Sequence, residues 1–362
     1  MNVFDRWIPP RRGMRVGVVL FEATARCDNA CVYCYNAWKL PGVPAPRELS
    51  TVETLDLFRR LARTRGWSRP RQITFTGGEP LLRDDLEVLV AEVVRLGFQT
   101  NLVTNGRRLD AGRAAALVAA GCRLFEIPLL APDAAAHDAL AGTAGAFEGA
   151  VRAIGAVRRA GGRAVAAFVA TRDNIGAAAD VARLALALGA HGLMFLRFNP
   201  GGAGVRRDED LLPDPDQIVR ALRALRAHHR AGGLPVSVSV PLPPCVVDPR
   251  ETEGLGIGFC GAGTDRTYVA LAPNGDVRPC NHSPTVLGNL RSASLACLLH
   301  GASYRAFCDA VPDECRDCPD RATCRCGCRA AAEACTGDVR RLDPLAARHG
   351  RFPWRGQSGP SG

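Results

Sequence analysis

QITFTGGEPLLRDDLEVLVAEVVRLGFQTNLVTNG, residues 72–106, reads as strand, helix, strand. Residues 72–78 are β-branched and aromatic and end on glycines, 84–97 form a helix with acids at its start, and 98–106 return to strand character. A strand that leads through a helix into another strand calls for parallel pairing. The same rhythm extends in both directions. VGVVLFEAT (16–24) is a buried strand before the helix 51–65, and CRLFEIPLL (122–130), RAVAAFVAT (163–171) and GLMFLRF (192–198) are strands. Helices over 110–121, 146–161 and 176–189 separate them, and 216–233 supplies a sixth covering helix. Six strand–helix units predict an α/β fold with a parallel sheet covered by helices. Six are too few for a closed eight-unit barrel, so a partial barrel and an open doubly wound sheet both fit.

Beyond Pro200 the rhythm stops. Residues 201–216 are a loop rich in Gly, Asp and Pro, PVSVSV (235–240) is one more strand, and the chain is then cysteine-rich to about residue 344. Such a segment reads as a small domain in which metal sites replace part of the core.

Composition narrows the function classes. The 362 residues are 47% hydrophobic and 23% charged, as in globular proteins. No apolar run reaches the eighteen or so residues a membrane span needs, and the N-terminus lacks a signal-peptide apolar segment, so a cytoplasmic protein is expected. The formal net charge of +10 comes from scattered arginines, Lys39 being the sole lysine, and no basic stripe points to nucleic acid. Fifteen cysteines are the strongest signal: three at 27–34, eleven between 245 and 335, and Cys122 between the groups. In a reducing compartment such clusters bind metal or do chemistry.

Cys27, Cys31 and Cys34 are spaced C-x3-C-x2-C directly after a strand. Three thiolates leave one iron of a four-iron cube without a protein ligand, an open position for a cofactor or substrate. A zinc clip is the alternative, but zinc sites usually show four ligands in pairs and no histidine lies nearby. At the same sheet edge the second strand ends in Gly77-Gly78-Glu79-Pro80 and the third in Thr104-Asn105-Gly106. Parallel sheets bind ligands at this edge, glycines allow a ligand close approach, and Glu79 can accept from an ammonium group.

The cysteine loop, with Tyr33 before its last cysteine, and the GGEP stretch together resemble the radical S-adenosylmethionine (radical SAM) superfamily over roughly residues 16–200. The resemblance implies a partial (β/α)6 TIM-like barrel in which Cys27, Cys31 and Cys34 hold a 4Fe-4S cluster. It implies that the unique iron chelates S-adenosyl-L-methionine, with Gly77, Gly78, Glu79 and Pro80 at its amino end. One electron then releases a 5′-deoxyadenosyl radical that abstracts hydrogen from the substrate. Asp133, His137, Asp138, Gly142, Gly145 and Phe147 also resemble a stretch of the cluster-rich subfamily. The Ser-Leu-Asp-Gly run common there is replaced by Pro128-Leu129-Leu130-Ala131, so Asn105 and Thr171 are expected to take ribose or substrate contacts.

Cys260-x14-Gly275-x4-Cys280, with an Asn274-Gly275 hairpin turn, precedes Cys315-x2-Cys318-x5-Cys324-x3-Cys328 and Cys335. This pattern resembles the SPASM extension and implies two auxiliary iron–sulfur clusters. Cys260, Cys280 and Cys328, with Cys245 as fourth ligand, would hold one, and Cys315, Cys318, Cys324 and Cys335 the other. One or two zinc-ribbon sites are the alternative. Cys326 is expected as a bystander, Cys122, Cys297 and Cys308 as core thiols, and His282 as a structural histidine. The expected domains are 14–233 (barrel), 234–344 (SPASM) and 345–362 (polar tail).

Auxiliary clusters suit oxidations, because a substrate radical must pass an electron on. The expected reaction is oxidative modification of a peptide or protein, with dehydrogenation or decarboxylation of a sugar, aminocyclitol or heme-type molecule as the alternative. A non-catalytic zinc or electron-transfer protein is disfavoured by the open three-cysteine site beside GGEP. Only twenty-six residues precede Cys27, too few for a fused leader-peptide domain, so a peptide substrate is expected to need a separate recognition protein or to dock directly. A flavodoxin or ferredoxin is the expected electron donor.

Overall fold

A computed structural model describes residues 13–39 and 42–353. The strands are β1 Val16–Thr24, β2 Gln72–Gly77, β3 Gln99–Val103, β4 Leu124–Pro128, β5 Arg163–Ala170, β6 Leu193–Arg197, β7 Val236–Val238, β8 Gly256–Ile257, β9 Thr267–Leu271, β10 Asp276–Arg278 and β11 Gly288–Asn289. The barrel helices are α1 Thr51–Arg63, α2 Leu86–Arg95, α3 Ala111–Ala119, α4 Ala134–Ala141, α5 Ala146–Arg159, α6 Ala178–Ala187, α7 Asp208–Leu211 and α8 Pro215–Arg230. The cysteine-rich region adds α9 Leu295–His300, α10 Ala302–Asp309, α11 Arg321–Cys324, α12 Arg329–Thr336 and α13 Pro344–His349.

β1 to β6 pair in sequence order and in parallel, each return carried by helices. This is the partial six-unit barrel, and the sheet continues past both edges. β7 and β8 extend it beyond β6, while β9, β10 and β11 extend it beyond β1. β9 runs parallel to β1, pairing Val16 with Thr267 and Phe21 with Leu271, so the cysteine-rich region is grafted onto the first barrel strand.

Alternation along the strands separates two faces. Phe21, Phe75, Phe125, Ile127, Phe168 and Phe195 are fully buried under the helices. Phe21, Phe58 and Phe75 meet edge-to-face at 5.1–6.0 Å, locking α1 onto β1 and β2. α1 starts at a capping box between Ser50 and Glu53, and α8 at one between Asp214 and Gln217.

Two buried ion pairs dock the cysteine-rich region onto the barrel. Glu22 on β1 pairs with Arg278 on β10, and Arg197 at the end of β6 pairs with Asp343 before α13. Asp343 also accepts from the Cys328 backbone N–H at 2.8 Å. The expected polar tail from residue 345 is corrected here, because α13 buries Leu345 and Ala346; residues 354–362 of that tail lie outside the described residues.

Arg197→Met would leave the Asp343 carboxylate buried without its partner. Removing one member of such a pair costs about 3–5 kcal/mol. A clearly lower melting temperature than wild type is expected by circular dichroism, and an unchanged one would show that the pair does not hold the two regions together.

Candidate metal centres

The loop carrying Cys27, Cys31 and Cys34 leaves the end of β1 and is gripped by backbone from three other segments. Gly78 N donates to Thr24 O at 2.7 Å and Glu79 N to Arg26 O at 2.8 Å. An added Cβ at Gly78 would stand 2.0 Å from the Arg26 carbonyl oxygen, and one at Gly77 2.6 Å from that of Thr24. The glycines of GGEP thus admit the cysteine loop itself, where the sequence suggested room for a ligand. Gly142, the left-handed cap of α4, does the same: a Cβ there would be 2.2 Å from Ala30 O, while Val32 N donates to Leu140 O. After β6, a Cβ on Gly202 would meet Asn36 O at 2.3 Å, and Gly204 N donates to Cys34 O. His137 packs edge-on against Phe147, and Asp138 accepts from Gly145 N and Phe147 N, which sets the cap that receives the loop.

Side chains complete the grip. Asn36 donates to Gly77 O at 2.8 Å, and its own Oδ1 is buried without a partner among the described residues. Asn105 donates to Asp28 at 2.8 Å, and Arg107 donates to the Asp28 carbonyl. Glu79 is buried and accepts from Leu81 N, Thr104 Oγ1 and Asn105 N. Burial nevertheless pushes its carboxyl up to about 7. Glu79 and Asn105 tie β2, β3 and the cysteine loop together, and the three hydrogen bonds Glu79 accepts leave its carboxylate able to accept one more. Thr171 is fully buried and donates to Asn174 at 3.1 Å, so it shapes the turn after β5.

The three loop thiols are half-buried and free, and Cys31 feels the charges of both Cys34 and Cys27. Burial, then those neighbours, push Cys31 up to about 12. Bare thiolates are unfavourable here, and binding to cationic iron relieves that, so the donor set suits a cluster with one iron left open. Among the described residues no three His, Cys, Asp or Glu side chains converge closely enough for a single metal ion. A cube spreads its thiolates over separate corners.

In the cysteine-rich region, Cys260, Cys280 and Cys328 all act on the Tyr268 hydroxyl, which lies 3.6 Å from Cys280 Sγ. Arg329 reaches Cys260 and Asn199 reaches Cys328. His282 stacks on Tyr35 of the N-terminal loop at 4.5 Å, joining the two cysteine regions. Burial and the nearby Arg197 and Arg278 push its ring down to about 3, so it is neutral, as suits a structural histidine. Cys315, Cys318 and Cys324 line a second site. Cys324, Cys318 and Asp343 bear on the Cys245 thiol, and Asp208, Asp343 and Arg348 on that of Cys335. Cys122 and Cys308 are buried as expected, but Cys297 is exposed on the short helix α9.

One residue escaped the sequence reading. Glu126 on β4 lies on the face opposite Phe125 and Ile127, between Val103 and Val165 across the ladders. It has no hydrogen-bond or ion-pair partner among the described residues, and burial alone pushes it up to about 7. A charge inside an alternating apolar strand was the available signal.

Residues 21–185 match the Radical SAM superfamily and residues 260–319 the iron–sulfur cluster-binding SPASM domain. The chain is similar to a PqqA peptide cyclase of Xanthomonas campestris pv. campestris (strain 8004), 31% identical over 337 residues, 91% of this chain and 86% of that one. Among solved structures, Streptococcus suis SuiB bound to S-adenosylmethionine superposes with a TM-score of 0.71 at 14% identity, covering 92% of this chain and 76% of SuiB. SuiB bound to its precursor peptide SuiA gives 0.70 at 14%, over 91% and 75%. AdoMet-bound anSMEcpe gives 0.68 at 17%, over 92% and 94%. At such identities these structures speak for the fold.

Gly142→Ala would force the cysteine loop away from α4 by more than an ångström. Displacement on that scale can cost about 10²-fold in rate. The variant should keep its far-ultraviolet circular dichroism and lose 5′-deoxyadenosine formation by that order, while a wild-type rate would show that the glycine contact does not position the cluster.

Proposed function

The chain belongs to the radical SAM superfamily with a SPASM iron–sulfur domain, and from that premise we propose that it oxidatively modifies a peptide. The observation that carries the peptide reading is the likeness to a PqqA peptide cyclase over 91% of the chain. S-adenosyl-L-methionine and 4Fe-4S clusters are the cofactors, and together they supply a 5′-deoxyadenosyl radical that takes a hydrogen atom from the substrate.

The chain's own residues do the positioning. Cys27, Cys31 and Cys34 would hold the catalytic cluster. The backbone of Gly77 to Pro80 and the unpartnered Asn36 oxygen supply polar groups beside it. Oxidation requires the substrate to lose a proton as well as an electron. Glu126, on the sheet face away from the helices and half-ionised near neutrality, is the proton acceptor, and the auxiliary clusters take the electron. Residues 14–233 form the catalytic unit and 234–344 the SPASM unit, to which α13 adds its turns. A flavodoxin or ferredoxin would deliver the reducing electron, and a separate recognition protein would present a leader peptide. No helix among the described residues is long and apolar enough to cross a membrane, and fifteen cysteines with no disulfide among the described residues suit the reducing cytoplasm.

Alanine at Cys27, Cys31 and Cys34 together should abolish 5′-deoxyadenosine formation; persistence of cleavage would refute the assignment. For the peptide reading, mass spectrometry of candidate precursor peptides should reveal loss of hydrogen coupled to 5′-deoxyadenosine release, and turnover only on small molecules would refute it. Turnover should rise with pH through about 7 as Glu126 ionises. Glu126→Gln should remove that limb and lower product formation by about 10²–10⁴-fold; a retained limb would exclude Glu126.

A further inference from the structure

Five thiols meet in one narrow cavity of the cysteine-rich region: Cys245, Cys315, Cys318, Cys324 and Cys326. Cys245 arrives there from a stiff approach. Pro243 and Pro244 precede it and line the same cavity, and its carbonyl accepts from Arg351 N at 2.9 Å. Cys324, Cys318 and Asp343 bear on its thiol. Cys335 is elsewhere. It sits on α12, and its electrostatic neighbours are Asp208, Asp343 and Arg348, with no cysteine among them. A side chain fixed on a helix cannot change neighbourhood without moving the helix, and α12 is anchored by the buried Arg329 and Ala330 to Ala332. From the C-terminal side Leu342, Ala346 and Phe352 line the cavity, and none of these side chains carries a ligand atom.

Resting on the reading that this region holds auxiliary clusters, we propose that Cys245, Cys315, Cys318 and Cys324 ligate the second auxiliary centre and that Cys335 is not a ligand. Cys326 is the fifth thiol of the cavity, and its interaction with Cys315 places it as that ligand's neighbour rather than a ligand of its own. Its backbone suits a fixed direction, with Arg325 and Cys326 both left-handed at φ 58° and 65°. Cys260, Cys280 and Cys328 then remain as a three-thiolate set.

The test uses the full chain, reconstituted anaerobically, with iron and sulfide quantification and electron paramagnetic resonance of the reduced protein. Wild type should carry about twelve irons from three four-iron clusters. Cys335→Ala should keep that content and the wild-type spectrum, and Cys326→Ala should keep the iron content. Cys245→Ala should lose up to about four irons or shift the signal of one cluster, and Cys245→Asp, which offers an oxygen ligand, should restore iron with altered g-values. Loss of iron in Cys335→Ala, or a wild-type spectrum in Cys245→Ala, overturns the proposal. If Cys245→Ala precipitates, Cys335→Ala still decides. A wild-type protein with about four irons and bound zinc would instead refute the auxiliary-cluster reading, and the ligand assignment with it.

Discussion

Close backbone-to-backbone contact between the N-terminal cysteine loop and glycines from three distant segments is the constraint around which this protein is organised. Gly77 and Gly78 end β2, Gly142 caps α4, and Gly202 and Gly204 follow β6. At Gly78, Gly142 and Gly202 a Cβ would come within 2.0–2.3 Å of a loop carbonyl, so no side chain of any size fits. Parallel strands in sequence order bring these segments to one sheet edge. The loop is thus fixed by the whole sheet, and three thiols within eight residues of chain are held at one place on its rim. A cofactor bound to an open iron can direct a radical only if that iron does not move relative to the substrate.

Charge burial explains how the cysteine-rich region stays aligned with that rim. β9 extends the sheet beside β1, and the Glu22–Arg278 and Arg197–Asp343 pairs are buried on either side of the join. Both arginines also bear on His282, which stacks on Tyr35, so the stacked ring stays neutral. The pairs therefore set geometry and local potential together. Asp343 links both roles, since it accepts from the backbone N–H of Cys328 while holding Arg197. The formal charge of +10 counts only side chains. Clusters bound through thiolates would lower it, and the inward Arg197 and Arg278 bear on the Cys328 and Cys280 thiols.

The catalytic unit was legible because its information is local. Six strand–helix units, the spacing Cys27-Cys31-Cys34, and the glycines after the second strand are periodicities and short motifs, and each survives into the fold nearly unchanged. Side-chain roles were less legible. Glu79, Asn105 and Thr171 stand at the expected edge, and their hydrogen-bond partners lie 2–77 residues away in sequence. Glu126 was passed over because a charge in an apolar strand has no motif; its meaning depends on which face it occupies.

What the sequence alone determined is the kind of chemistry: thiolate-held clusters, an open iron, and a parallel sheet to carry them. These follow from residue type and from spacings of a few residues, which chain geometry cannot alter much. What only the tertiary structure decided is which distant cysteines share a site. Cys245 lies in the loop between β7 and β8 and Cys335 on a separate helix, and cysteine order along the chain does not constrain such partners. The stiff approach through Pro243 and Pro244 and the anchored helix α12 place Cys245 in the cavity and Cys335 outside it, because a folded backbone lets each thiol reach only what lies within a side chain's length.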